Sequence, residues 1–427
     1  MTKFFVLVIY NIVLPIFFTL LFPAWLIKMG KRGGFGTGLL ERFSIFKRDE
    51  SLEKKDVIYI HAVSVGEVLV AVKLIKEWIV QNPDDSILLV PTTSTGHEVA
   101  KKYVPEEVRV IYSPLDFSFI LKRVFRRFTP KQIILMESEI WPNMLHVAEK
   151  LSIPVNVANA RLSPRSEKRY LKMGKLLRPL LKMLNQLCAQ DETDKTRWTT
   201  VGVPEKRITV TGSVKFDQSG SSKPKRREEF SQMLEGVSTN KRKVVMAIST
   251  HAEEEAWIAE SLSSIREEIC LVIVPRHAER RKQVRADLER VGYEVVLISQ
   301  YKSREGACLV VDSTGELRDW TAHADIVIVG KSIIGKGGQN PTEAMSVSVP
   351  VLCGPYMKNF EPLVTQLKQA GGLIEFKNQP ELLDSVRKVL SDEKQQIEKQ
   401  TKAALKVLES HQGATLRTVK ILSNIAR

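Results

Sequence analysis

Acidic and basic residues recur in this chain where short apolar runs end and helical periodicity begins, the edge at which α/β sheets present ligands. Ser64-Val65-Gly66-Glu67 follows a run that ends at His61 and sets a carboxylate in the first turn of a helix. Such a group either complements the helix dipole or serves catalysis. Met136-Glu137-Ser138-Glu139-Ile140-Trp141-Pro142-Asn143 puts two more carboxylates at another run's end, one suited to an ion pair and the other to function. Gly212-Ser213-Val214-Lys215-Phe216-Asp217 closes the first half with a lysine that is either solvated surface or a cation reaching a cleft.

The second half carries three polar turns of the same kind. In Gly335-Lys336-Gly337-Gly338-Gln339-Asn340-Pro341-Thr342-Glu343, Asn340 suits an N-cap, Pro341 the first helical position and Glu343 the closing partner of a capping box. A glycine-rich loop that feeds a helix is either a phosphate site or a plain turn. Asp312-Ser313-Thr314-Gly315-Glu316 permits close backbone approach, and Val274-Pro275-Arg276-His277 offers a guanidinium to phosphate or to a base edge. Cys188, Cys270, Cys308 and Cys353 stand apart with no metal spacing, so no metal or cofactor is expected and the thiols read as structural in a reducing compartment.

Elements able to position these groups alternate along the chain. Residues 57–61, 87–91, 108–112, 133–136, 155–158 and 208–211 read as strands, with amphipathic helices such as 67–80 and 119–127 between them. A polar stretch at 218–243, containing Gly220, Ser221, Ser222 and Pro224, serves as linker and lead-in helix. Alternation resumes with strands at 244–248, 270–274, 294–298, 308–311, 326–329 and 349–353, and the tail 395–427 is helical. The expected fold is α/β with GT-B architecture: two Rossmann-like domains, 31–217 and 244–394, facing a cleft.

Residues 4–27 are 24 consecutive uncharged positions, long enough to span a bilayer of roughly 30 Å, with 1–30 as the anchor. Pro15, Pro23 and the polar Asn11 also allow a half-buried, interfacial helix. Lys28, Lys31, Arg32, Arg42, Lys47 and Arg48 follow the run and only Lys3 precedes it, which places the remainder on the cytoplasmic side. The formal charge of +15 suits an anionic bilayer or phosphorylated substrate, and no nucleic-acid recognition motif accompanies it.

The segments HAVSVGE (61–67), PTTSTG (91–96), MESEIWPN (136–143), NARLSPRS (159–166), TGSVKFD (211–217), STHAEEE (249–255), VPRHAER (274–280), STGEL (313–317), GGQNPTEA (337–344) and GPYMKNF (354–360) together resemble the 3-deoxy-D-manno-octulosonic acid (Kdo) transferase family. They run in order over nearly the whole chain. The resemblance implies a metal-independent, inverting GT-B enzyme of the bacterial inner membrane, active on its cytoplasmic side, that moves Kdo from CMP-Kdo to a lipid A precursor, lipid IVA. It implies Glu67 as general base, Glu137 and Lys215 as groups that stabilise the transition state, and Pro275, Arg276, Thr314, Gly315, Glu316, Asn340, Pro341, Thr342 and Glu343 as the CMP site. Three positions depart from the family pattern: Gln339 stands where relatives often carry His, Thr314 where they carry Met, and Lys331 where a glycine is common. The basic stretch 161–182 fits a membrane-facing helix meeting acceptor phosphates or an ordinary solvated face. The alternatives are a GT-B transferase with another nucleotide-sugar donor, such as a UDP-sugar, and a membrane-tethered binding module without catalysis.

Overall fold

The computed structural model describes residues 3–31, 37–46, 56–218, 224–238, 242–335, 337–391 and 394–425. Arg32, Lys47, Arg48, Gly220, Ser221, Ser222 and Lys336 lie outside the described residues, as do the side chains of Lys28 and Lys31. The chain divides into two compact units, Met1–Ser219 with His411–Arg427, and Gly220–Ser410.

The first unit holds a seven-stranded sheet in the order β3-β2-β1-β4-β5-β6-β7. Its strands are β1 (Val57–Ala62), β2 (Ser86–Pro91), β3 (Arg109–Val110), β4 (Gln132–Met136), β5 (Val155–Ala160), β6 (Gln186–Ala189) and β7 (Ile208–Val210). All neighbouring pairs are parallel. Parallel strands need crossover helices, and helices on both faces explain why β1, β4 and β5 are buried throughout. β6 escaped the sequence reading because Gln186-Leu187-Cys188-Ala189 is short and carries no β-branched residue.

The second unit repeats the plan in the order β10-β11-β9-β8-β12-β13-β14. Here β8 is Lys243–Thr250, β9 Ile269–Pro275, β10 Val295–Leu297, β11 Cys308–Val310, β12 Ile326–Val329, β13 Val351–Cys353 and β14 Ile374–Glu375. β14, only two residues long, leaves no periodicity to read. The strand order reverses between β8 and β12, the crevice where doubly wound sheets bind ligands at their carboxyl ends.

The apolar N-terminal run is helix α1, Lys3–Lys31, with Pro15 and Pro23 inside it. The basic stretch forms two helices, Pro164–Lys172 and Gly174–Leu181, and the former buries none of its residues fully. The C-terminal tail is two helices, Lys394–Glu409 and Ala414–Ser423, interrupted where Gly413 adopts φ +70°. The last helix belongs to the first unit. Asp217 holds it there by accepting from Gly413 N at 2.9 Å, Thr415 N at 2.8 Å and Thr415 Oγ1 at 2.6 Å.

Candidate active site

In the first unit the carboxyl ends of β1, β4 and β5 gather the acidic groups. Helix Val65–Gln81 begins after the N-cap Ser64, whose Oγ accepts from Glu67 N at 3.2 Å. Glu67 reciprocates: Ser64 Oγ donates to its Oε1 at 3.0 Å and Val63 N to its Oε2 at 2.9 Å. This is a variant of the capping box in which Val63, before the N-cap, supplies the backbone N–H, and it directs the carboxylate without consuming all of its lone pairs. Glu67 therefore does cap its helix, and the same bonds leave it oriented for chemistry.

Glu137 leaves β4 with φ +57°, a conformation that costs a non-glycine residue free energy, and its N–H donates to Ala158 O on β5 at 3.0 Å. Burial raises its pKa and the nearby Glu67 adds to the shift, while Arg161 and Lys215 oppose it. Burial, then Glu67 and Glu137, push Glu139 up to about 7. Among the described residues neither Glu137 nor Glu139 forms a direct ion pair, so the pairing expected for one of them is not found. Three carboxylates share one patch, and their mutual repulsion favours a proton on one of them.

Lys215 sits on a turn held from two sides. Lys73, on the same helix as Glu67, donates from Nζ to Val214 O at 3.0 Å and to Asp217 O. Asn159, at the end of β5 with φ +52°, accepts from Val214 N at 3.0 Å. The Lys215 side chain reaches solvent, yet partial desolvation lowers its pKa while Glu137 pulls it back. Lys73 and Arg161 escaped the sequence reading as site residues. Arg161 stands in the NARLSPRS segment, whereas Lys73 has no local signal because its partners lie more than 140 positions away.

Arg165, Lys168, Arg169 and Lys172 line an open depression of about 480 Å³ with Pro164. Their helix is tied to the acidic turn by Tyr170, whose hydroxyl donates to Ser138 O at 3.0 Å. The basic face thus adjoins the carboxylates.

In the second unit, Pro275 ends β9, and Arg276 donates its N–H to Thr250 O at 3.0 Å while its side chain is exposed. Gly315 adopts φ +88°, the glycine-favouring turn expected after β11. Thr314 precedes it on the exposed surface. Glu316 is committed locally: Ser313 Oγ donates to it, and so does Arg227 Nη1 at 3.1 Å, with Arg227 Nε also bonding Asp319 at 2.7 Å.

The capping box expected at Asn340 does not form. Asn340 Oδ1 accepts from Thr342 N at 3.2 Å and Thr342 Oγ1 at 2.9 Å, but the helix Thr342–Met345 is a single turn with Pro341 as its cap. Glu343 is consequently the second helical residue and does not reach back. Its Oε2 is buried with no hydrogen-bond partner among the described residues, burial raises its pKa, and Arg318 and Arg276 oppose the shift. One turn carries little macrodipole, so attraction for phosphate rests on the guanidinium groups. A buried carboxyl with an open acceptor is suited to a ligand hydroxyl.

The departures from pattern have structural consequences. Gln339 Nε2 contacts His251 Nε2 at 3.1 Å. Lys331 adopts φ +56°, a conformation that glycine takes without steric cost. Its loop is fastened by the fully buried Glu254, which accepts from His251 N at 3.0 Å, Lys331 N at 2.6 Å and Ile333 N at 3.1 Å. The four cysteines are buried and free, and among the described residues no cluster of three or more His, Cys, Asp or Glu could hold a metal.

Two parallel α/β units with polar groups at their strand ends define a glycosyltransferase-like GT-B protein. The fold resembles that of UDP-GlcNAc 2-epimerase from Neisseria meningitidis bound to UDP-GlcNAc, with TM-score 0.55, 14% identity, and 87% of this chain and 100% of that one covered. A glycosyltransferase from Rickettsia africae matches with TM-score 0.53 and 13% identity over 88% of this chain and 99% of that one. Residues 37–218 match the family described as 3-deoxy-D-manno-octulosonic-acid transferase (kdotransferase). The 3-deoxy-D-manno-octulosonic acid transferase of Haemophilus influenzae is 31% identical over 392 residues, 90% of each chain. The chain belongs to the Kdo transferase family.

Proposed function

We propose that this chain transfers Kdo from CMP-Kdo to a lipid A precursor, lipid IVA, with inversion at the sugar carbon and release of CMP, at the cytoplasmic face of a bacterial inner membrane. Family membership supports the reaction. The observation that carries the catalytic assignment is the fixed Glu67 carboxylate beside Glu137, Glu139, Arg161 and Lys215.

A sugar hydroxyl is a poor nucleophile near neutral pH, and a positioned carboxylate base contributes about 10²–10⁴-fold. Glu67 takes the acceptor proton. Charge then moves from the attacking oxygen to the departing CMP phosphate, and Lys215 balances it while Glu137 tunes Lys215. Arg276 and Arg318 attract the nucleotide, Glu343 accepts from one of its hydroxyls, and Gly315 and the Asn340-Pro341-Thr342 turn approach it through backbone. The basic face at Arg165, Lys168, Arg169 and Lys172 suits the acceptor's phosphates.

The purified full chain in detergent, given CMP-Kdo and a tetraacylated lipid A precursor, yields a Kdo-bearing lipid seen by mass spectrometry, with stoichiometric CMP. Preferential turnover of UDP-sugars in a donor panel would reject the CMP assignment.

A further inference from the structure

α1 is long enough to span a bilayer, and most of its surface is open, yet one stripe along its first half is engaged by protein. Lys3 pairs with Glu149, and Val6 and Leu7 are 5% and 7% exposed within the first unit's core. Tyr10 donates its hydroxyl to Asp116 at 2.8 Å. Asn11 and Asn143 exchange amide hydrogen bonds at 2.9 Å. Phe18 meets Phe117 and Phe43 edge-on at 5.4 and 6.5 Å between ring centres. These positions recur at helical spacing along one face.

From Lys3 to Phe18 the helix runs about 22 Å against folded protein, at about 1.5 Å per residue. Residues 19–31 supply only about 20 Å more, short of the roughly 30 Å hydrocarbon layer. A helix set across the membrane would drag Asp116, Asn143 and Glu149 into that layer, an unfavourable burial of polar and charged groups.

The opposite face is apolar and open. Phe5, Ile9, Ile12, Ile16 and Leu20 are exposed by 58%, 37%, 59%, 54% and 72%. Phe119, beside Phe117 with 5.8 Å between ring centres, is also 63% exposed. Cations edge this face: Lys3, Lys122 and Lys150 all act on His146, and Lys3, His146 and Lys150 line a depression of about 320 Å³ with Phe4 and Val8 of α1. Apolar residues flanked by lysines match the acyl layer and headgroups of an anionic leaflet.

We infer that α1 lies in the membrane plane as a monotopic helix, its outer face in the acyl layer of an anionic bilayer and both of its ends on the side of the folded units. The side that a lone interfacial helix turns to water here meets the first unit through Lys3, Val6, Leu7, Tyr10, Asn11 and Phe18. The inference rests on the proposed membrane association but not on which sugar is moved.

A membrane-impermeant maleimide tests the topology in spheroplasts of a Gram-negative expression host, since the native cysteines are buried. Thr2→Cys and Lys31→Cys variants of the full chain are both expected to react only after lysis. Labelling of Thr2→Cys in intact spheroplasts would establish a spanning helix and overturn the inference. Recovery of the protein in the soluble fraction would instead overturn the membrane association beneath it. With purified protein, vesicles containing anionic phospholipid should bind more tightly than neutral vesicles, and Ile12→Glu with Ile16→Glu should weaken binding at least about tenfold while transfer to a detergent-dispersed acceptor persists. Equal binding to both vesicle types would remove the basic rim from the surface.

Discussion

The side-chain amides of Asn11 and Asn143 donate to one another across 132 positions of sequence, and Asn143 Nδ2 also donates to Asp116 O at 2.6 Å. The N-terminal helix is thereby joined to the turn that follows Glu137 and Glu139. Asp116 reinforces the joint by accepting from Asn143 N at 3.1 Å and Met144 N at 2.9 Å.

Asn11→Leu should cost about 1–3 kcal/mol, because it leaves the buried Asn143 Oδ1 without its donor and one Asn143 amide hydrogen without its acceptor. Asn143→Leu should cost at least as much. The double variant is expected to lose less than the sum, and denaturant unfolding of all four proteins in one detergent reads the coupling. Strict additivity would contradict the amide pair.

Glu67→Gln separates capping from catalysis. Glutamine closes a capping box, so the fold should keep its thermal midpoint, yet it takes up no proton. The transfer rate is expected to fall about 10²–10⁴-fold with the KM for donor little changed. Glu67→Ala should lose the rate and lower the midpoint as well. Steady-state kinetics beside thermal melts resolve the two effects.

Glu139 makes stability depend on pH with a definite sign. Its folded pKa of about 7 lies above the ordinary 4.5, so the folded protein binds more protons than the unfolded chain between those values. Stability then falls as pH rises from about 4.5 to about 7. Asp116 and Asp194, both pushed to about 7 by burial, act in the same direction. The diagnostic quantity is therefore a difference: Glu139→Gln should show a shallower decline than the wild type in unfolding measured from pH 5 to 8.

Lys331→Gly should relieve a left-handed backbone that costs a lysine about 1–2 kcal/mol, partly offset by the greater freedom of glycine when unfolded. A net gain below about 1 kcal/mol is expected. Lys331→Val should destabilise, since a branched side chain tolerates positive φ poorly. Chemical unfolding of both variants checks the order glycine, lysine, valine.

The alternation of apolar runs and amphipathic segments was enough to read two parallel α/β sheets, because strand and helix periodicity are local properties set by which face is buried. β6 and β14 escaped because one lacks β-branched residues and the other has only two residues. The place of Glu67 in a first helical turn was equally legible, but the reading gave it the helix dipole and not its bonds to Val63 and Ser64. At Asn340 the capping-box rule failed, because the helix begins one residue later than the local signal suggests and Glu343 turns inward.

The sequence by itself determined most of the strand and helix order, most of the strand-end turns and the apolar N-terminal run, all of which depend on residues a few positions apart. Only the tertiary structure decided that Glu67, Glu137 and Glu139 crowd one patch, that Lys73 pins the Lys215 turn, and that the last helix returns to the first unit under Asp217. It also decided that one stripe of α1 meets protein over its first half. Charge, burial and hydrogen-bond partnership act through space, and these neighbours are separated by some 70 to 200 residues along the chain.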